Sequence, residues 1–144
     1  MEDAHAIVLD LEAADGKKNC FFAVYDGHGG APLLSYPIAE NASHINPSGS
    51  SVAKFAGLNL HKRLVTEDTY KINDYEFALK KAFLGTDEDI LAGQFIFRLY
   101  PSQLDVSVDP AHTRDPSGCT AVAALLTHDN KIYVVCQPTY LYPP

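Results

Sequence analysis

The chain has 144 residues, 47% of them hydrophobic, with 18 acidic side chains against 11 basic ones and a formal charge of −7. That length allows one domain with a sizeable core. The acidic balance argues against a nucleic-acid partner, which calls for a basic face, and suits a site that holds divalent cations on carboxylates. Three cysteines, Cys20, Cys119 and Cys136, show no CxxC spacing, which argues against zinc or a disulfide framework and for reduced, buried thiols. Met1-Glu2-Asp3 opens the chain without the basic and apolar regions of a secretory signal, and no apolar run reaches spanning length. The expectation is a soluble intracellular protein, cytoplasmic or nuclear, with no membrane partner.

In chain order, His5 to Leu11 reads as a strand, and the polar stretch Glu12 to Asn19, with Asp15-Gly16, as a turn returning it antiparallel into Cys20–Asp26. The aromatic and β-branched run up to Tyr25 predicts a strand buried on both faces. It ends in Asp26-Gly27-His28-Gly29-Gly30, where the glycines permit a sharp turn with an acid and a histidine on it. Residues 31–50 carry three prolines and no period, so they read as an irregular loop. Ser51 to Val65 is a helix capped by Ser51, with Val52, Phe55, Ala56, Leu60 and Leu64 on one stripe. Asp74 to Ile90 is a second, with Asp74 as N-cap and Leu79, Phe83 and Ile90 sharing a face. Gly85-Thr86 suggests a break there, with Thr86 capping a further turn through the acidic run Asp87-Glu88-Asp89.

Residues 93–108 lose the pattern again, and 109–118 read as a polar loop. Thr120–Leu126 and Lys131–Cys136 form a second hairpin around His128-Asp129-Asn130. Pro138, Pro143 and Pro144 argue that the tail from Gln137 does not continue a central strand. The order strand-strand-helix-helix-strand-strand predicts an α/β (α+β) arrangement with antiparallel hairpins and helices layered on the sheet.

One constellation has a chemical logic. The first hairpin brings Glu2 and Asp3 towards Asp26, beside the Gly27 carbonyl and His28. Carboxylates and a backbone oxygen are hard ligands that suit Mg²⁺ or Mn²⁺ rather than zinc. A carboxylate such as Asp26 can bridge two ions about 3.5–4 Å apart and so generate a hydroxide nucleophile near neutral pH. His28 is placed to protonate a leaving oxygen.

Met1-Glu2-Asp3-Ala4-His5 followed by Phe22-Ala23-Val24-Tyr25-Asp26-Gly27-His28-Gly29-Gly30 resembles the opening signature of the metal-dependent protein serine/threonine phosphatases, the PPM or protein phosphatase 2C family. Three further segments resemble it in the right order: Val52-Ala53-Lys54-Phe55-Ala56, Ala82-Phe83-Leu84-Gly85-Thr86-Asp87 and Ser117-Gly118-Cys119-Thr120-Ala121. The wording of Asp109-Pro110-Ala111-His112-Thr113-Arg114-Asp115-Pro116 is similar to fungal members. The resemblance implies a β-sandwich of two antiparallel sheets flanked by helices, with a binuclear Mg²⁺/Mn²⁺ site at one end. By motif position Asp26 resembles the bridging ligand, Glu2 a ligand of one ion and Gly27 a carbonyl ligand. Asp3 resembles the acid that orients water, and His28 the general acid. The implied reaction is attack of a metal-activated water on a phosphoserine or phosphothreonine phosphorus of a phosphoprotein, with no phospho-enzyme. No other cofactor is implied, and a monomer is the default.

The departures are equally specific. The family's phosphate-binding arginine precedes the position of Glu2, and Cys136-Gln137-Pro138 stands where members continue into an Asn-Ala-Gly-Asp-Ser-Arg type segment. The later aspartates of the metal site belong to a half of the domain beyond the resemblance. The expected organisation is therefore a partial phosphatase domain over 1–144, with irregular insertions at 31–49 and 93–108 and a divergent tail at 137–144, all three read as translated intronic sequence. A half-sandwich should expose strand edges and apolar surface. The alternative to an enzyme is a non-catalytic fragment or pseudophosphatase that acts by binding.

Overall fold

The computed structural model describes residues 3–12, 18–29, 49–92 and 117–140. Of the irregular stretches expected at 31–49 and 93–108, all but Gly49 lie outside the described residues, as do residues 13–17 of the turn expected over Glu12 to Asn19, and Glu2.

Four strands make one antiparallel sheet in the order β1-β2-β3-β4: β1 Ala4–Val8, β2 Cys20–His28, β3 Gly118–Leu126 and β4 Ile132–Tyr140. Both expected hairpins are present, as the β1–β2 and β3–β4 pairs. The sheet is completed by pairing β2 with β3 across the intervening helices. Those helices are α1 Gly49–Thr66, the short α2 Asp68–Lys71 and α3 Tyr75–Leu91. The α/β class with antiparallel strands flanked by helices is thus what forms.

Alternation along the strands separates two faces. Phe21, Ala23 and Tyr25 of β2, with Cys119, Ala121, Ala123 and Leu125 of β3, are buried. They join one core with Val52, Phe55, Ala56, Leu60 and Leu64 of α1 and Leu79, Phe83 and Ile90 of α3. The stripes expected on both helices are the ones that pack, each large side chain contributing about 1.5–3 kcal/mol on burial. On the opposite face the register aligns His5, Val24, Val122 and Cys136 in one row and Ile7, Phe22, Ala124 and Val134 in the next. A third row holds Cys20, Leu126 and Ile132. No described residue covers this face, so β2 is buried on one face and not on both. Apolar residues there are exposed, as a half-sandwich should leave them.

Several boundaries differ for physical reasons. β2 runs on through Gly27 and His28, which pair with Cys119 and Gly118, so the turn begins at Gly29, whose φ of 71° only glycine adopts freely. α1 starts at Gly49, not Ser51. Gly49 N–H donates to the Gly29 carbonyl at 2.9 Å, and a Cβ on Gly49 would stand 2.3 Å from His28 N. Ser51 is consequently buried in the first turn rather than capping it.

Asp74 does cap α3, its side chain accepting from Phe77 N at 3.3 Å. The helix then continues through Gly85-Thr86 without the expected break. Gly85 is there because the Arg63 guanidinium lies over it, 2.1 Å from where a Cβ would sit. Thr86 Oγ1 donates back to Ala82 O at 2.8 Å instead of capping. Asp87, Glu88 and Asp89 accordingly sit near the end of α3, where carboxylates oppose the helix dipole; Asp89 is offset by its 2.7 Å pair with Arg63. β4 carries on past Gln137 to Tyr140, with Pro138 opposite Thr120. Among the described residues it is an edge strand, where a missing N–H is tolerated.

Candidate active site

The β1–β2 register pairs Ala4 with Tyr25, so the next step along each strand sets Asp3 across from Asp26. On the other side Asp26 pairs with Thr120. Alternation turns Asp3 and Asp26 to the uncovered face, where both are exposed. They line an open cavity of about 430 Å³ together with His5, Val24, Thr120 and Val122. Two carboxylates are thus held on adjacent hydrogen-bonded strands, fixed by backbone rather than by loops.

The floor beneath them is Tyr25, whose side chain points the other way into the core and is 1% exposed. Its hydroxyl has no hydrogen-bond partner among the described residues. Burial, with the neighbouring Cys119, pushes its phenol well above the ordinary value, so it stays protonated and offers no base. Gly57 of α1 lies flat on the same ring, its Cβ position 3.6 Å from it.

Of the residues expected from sequence, Asp3 and Asp26 come together. Gly27 is buried in the ladder opposite Cys119. His28 lies two residues beyond Asp26 on the same side of the strand, half-buried, and is not part of the cavity wall. Its backbone abuts the start of α1 through Gly49, so the helix fixes where the strand ends. Glu2 lies outside the described residues. His5 and Thr120 were given no role from sequence, yet both line the cavity. The signal for them was available in the two-residue alternation of β1 and in the pairing of β3 with β2.

The donor chemistry fits a hard divalent cation, since the cavity presents exposed carboxylate oxygens and no thiolate. The donor number is short: among the described residues no group of three or more His, Cys, Asp or Glu is placed to hold a metal ion. No described helix is long and apolar enough to cross a membrane.

The protein phosphatase 2C family model matches residues 1–136. Protein phosphatase 2C homolog 2 of Aspergillus fumigatus is 35% identical over 144 residues, covering 93% of this chain and 25% of that protein. Protein phosphatase 2C homolog 3 of Schizosaccharomyces pombe is 36% identical over 134 residues, covering 92% of this chain and 24% of its own. An Arabidopsis thaliana protein named probable protein phosphatase 2C 21 is 38% identical over 94 residues, 65% of this chain and 20% of its own. The chain therefore spans about a quarter of the length of the fungal relatives it matches. With this match over most of its length, and with the paired strands that carry Asp3 and Asp26, the chain belongs to the protein phosphatase 2C family.

Proposed function

We propose that this chain carries part of the site of a metal-dependent phosphatase that hydrolyses phosphoserine and phosphothreonine in phosphoproteins. The observation that supports this most is the placement of Asp3 and Asp26 side by side at the mouth of one cavity on paired strands. Glu2, Asp26 and the Gly27 carbonyl would hold Mg²⁺ or Mn²⁺. When bound, such cations would supply a water nucleophile at neutral pH and offset phosphate charge. Asp3 orients the attacking water, and His28 delivers a proton to the leaving oxygen. Thr120, across from Asp26, can hydrogen-bond a water or phosphate oxygen at the same place.

Residues 1–144 alone should turn over little substrate. Two described carboxylates carry too little charge to hold two dications, and the cavity stands open to water, which weakens every electrostatic interaction in it. This second reading, a phosphatase-like chain that acts by binding if at all, rests on that shortage of donors. Phosphate release from a phosphothreonine peptide with Mn²⁺ tests both: the expected result is release at or near background. Brisk Mn²⁺-dependent release that disappears in Asp26→Ala would show a working site and overturn the proposed incompleteness.

The organisation proposed is one partial phosphatase unit, interrupted at 31–49 and 93–108 and diverging from 137. Gly49 already belongs to α1, so the first interruption ends before it. A mature transcript encoding all three stretches would contradict their intronic origin.

A further inference from the structure

We propose, on the reading of Asp26 as a metal ligand, that Tyr25 is a positioning residue for it: the ring sits in a socket of small side chains and so fixes how the next residue of β2 faces the cavity. Tyr25 is 1% exposed, and its two cross-strand neighbours are both alanines, Ala4 on β1 and Ala121 on β3. From α1 the ring meets Ala56 and Gly57. A Cβ on Gly57 would already touch the ring at 3.6 Å and the Ala4 side chain at 3.5 Å. Phe83 and Thr86 of α3 close the socket. One side chain on the helix-covered face is thus held by two strands and two helices at once.

Successive side chains of a strand point to opposite faces, so the same stretch of backbone turns the Tyr25 ring inward and the Asp26 carboxylate outward. Among the described residues Tyr25 is the last of β2 paired on both sides, whereas Asp26 is paired with Thr120 alone. Where β1 ceases to hold the strand, the seating of Tyr25 holds it instead. Shape rather than polarity does the seating. The Tyr25 hydroxyl has no hydrogen-bond partner among the described residues, and the space beside it, about 10 Å³, is at the lower limit for one water. Thr86, which lines that space, donates its own hydroxyl to Ala82 O.

Two readouts in the full 144-residue chain test this, under conditions where circular dichroism shows each variant folded: Mn²⁺ uptake, and the nuclear magnetic resonance shifts of the Asp26 backbone carbons, which report its dihedral angles. Tyr25→Phe keeps the ring and should match the parent in both. Tyr25→Leu leaves the socket partly empty and should bind Mn²⁺ at least about tenfold more weakly, as when a group that orients a metal ligand is removed, with the Asp26 shifts displaced. Gly57→Val presses on the ring from α1 without altering β2 and should act in the same direction; it carries the test if Tyr25→Leu does not fold. Leu125→Ala opens a cavity on the same face at the far end of the β2–β3 ladder. It lowers stability but should leave both readouts unchanged. Unchanged affinity and shifts in Tyr25→Leu and Gly57→Val would overturn the proposal. Equal losses in Leu125→Ala would also overturn it, by showing general loosening, and equal losses in Tyr25→Phe would assign the effect to the hydroxyl and not the ring. Absence of Mn²⁺ uptake by the parent would instead contradict the metal site, and the Asp26 shifts then decide the positioning role by themselves.

Discussion

Gly49→Ala tests how the end of β2 is fixed. The new methyl carbon would stand 2.3 Å from His28 N, 2.6 Å from His28 O and 2.7 Å from His28 C. All three are backbone atoms of a strand paired with β3, so no side chain can swing away to make room. Either α1 retreats and loses the Gly49 N–H to Gly29 carbonyl bond of 2.9 Å, or the last pair of the β2–β3 ladder opens. Overpacking costs about 1–3 kcal/mol and a lost hydrogen bond about 0.5–1.5 kcal/mol. Reduced unfolded-state entropy returns about 0.4–1 kcal/mol. The net expectation is a loss of about 1–3 kcal/mol, read as a lower urea midpoint at unchanged slope. Gly85→Ala is the contrast: there the Cβ meets the guanidinium of Arg63 at 2.1 Å, the far end of a flexible side chain. Arg63 can move, giving up its pair with Asp89, worth at most about 1 kcal/mol at this exposure. The helix gains about 1 kcal/mol from replacing glycine, so the net change should be near zero. A Gly49→Ala protein as stable as the parent, or a Gly85→Ala protein that loses more than it, would refute the reasoning from contact type.

Two further predictions concern the core and the helix end. Asn19 is fully buried; its amide donates to Tyr70 Oη at 2.8 Å, and its oxygen accepts from His128 N at 2.8 Å. Asn19→Ala strips both and strands a backbone N–H, which should cost about 2–4 kcal/mol in denaturant titration; a change within experimental error would show that water replaces it. Burial, and then Glu88, raise the Asp87 carboxyl above its ordinary value. The folded state therefore holds that proton more tightly than the unfolded chain, and stability falls as pH rises through the window between the two values. Asp87→Asn should raise stability at neutral pH by less than about 1 kcal/mol given the partial exposure, seen as a higher melting temperature. The gain should fade below the ordinary carboxylate range, and one that persists at acid pH would refute the charge explanation.

The legible parts of the fold were those governed by local periodicity. The α1 and α3 stripes, both hairpins and the Asp74 cap follow from spacing within one element or across one turn. Glycine favours a turn at Gly27 and His28; pairing with Cys119 and Gly118, ninety or more residues away, holds them in strand. Gly85 suggested a helix break for the same reason, whereas it answers to Arg63 on a neighbouring helix. Tertiary partners overrode propensity in both cases. At the site, the resemblance singled out Asp3 and Asp26, and the hairpin register accounts for their meeting. His5 and Thr120 were not assigned because their place in the cavity depends on which face of the sheet is left uncovered.

The most direct test of the account is a Mn²⁺ titration of the 144-residue chain, followed by the free-ion paramagnetic resonance signal, beside Asp26→Ala. One class of weak binding is expected in the parent chain and should disappear in the variant, with circular dichroism unchanged. Equal Mn²⁺ uptake by both proteins, or none by either, would contradict the claim that Asp26 is the centre of a partial metal site.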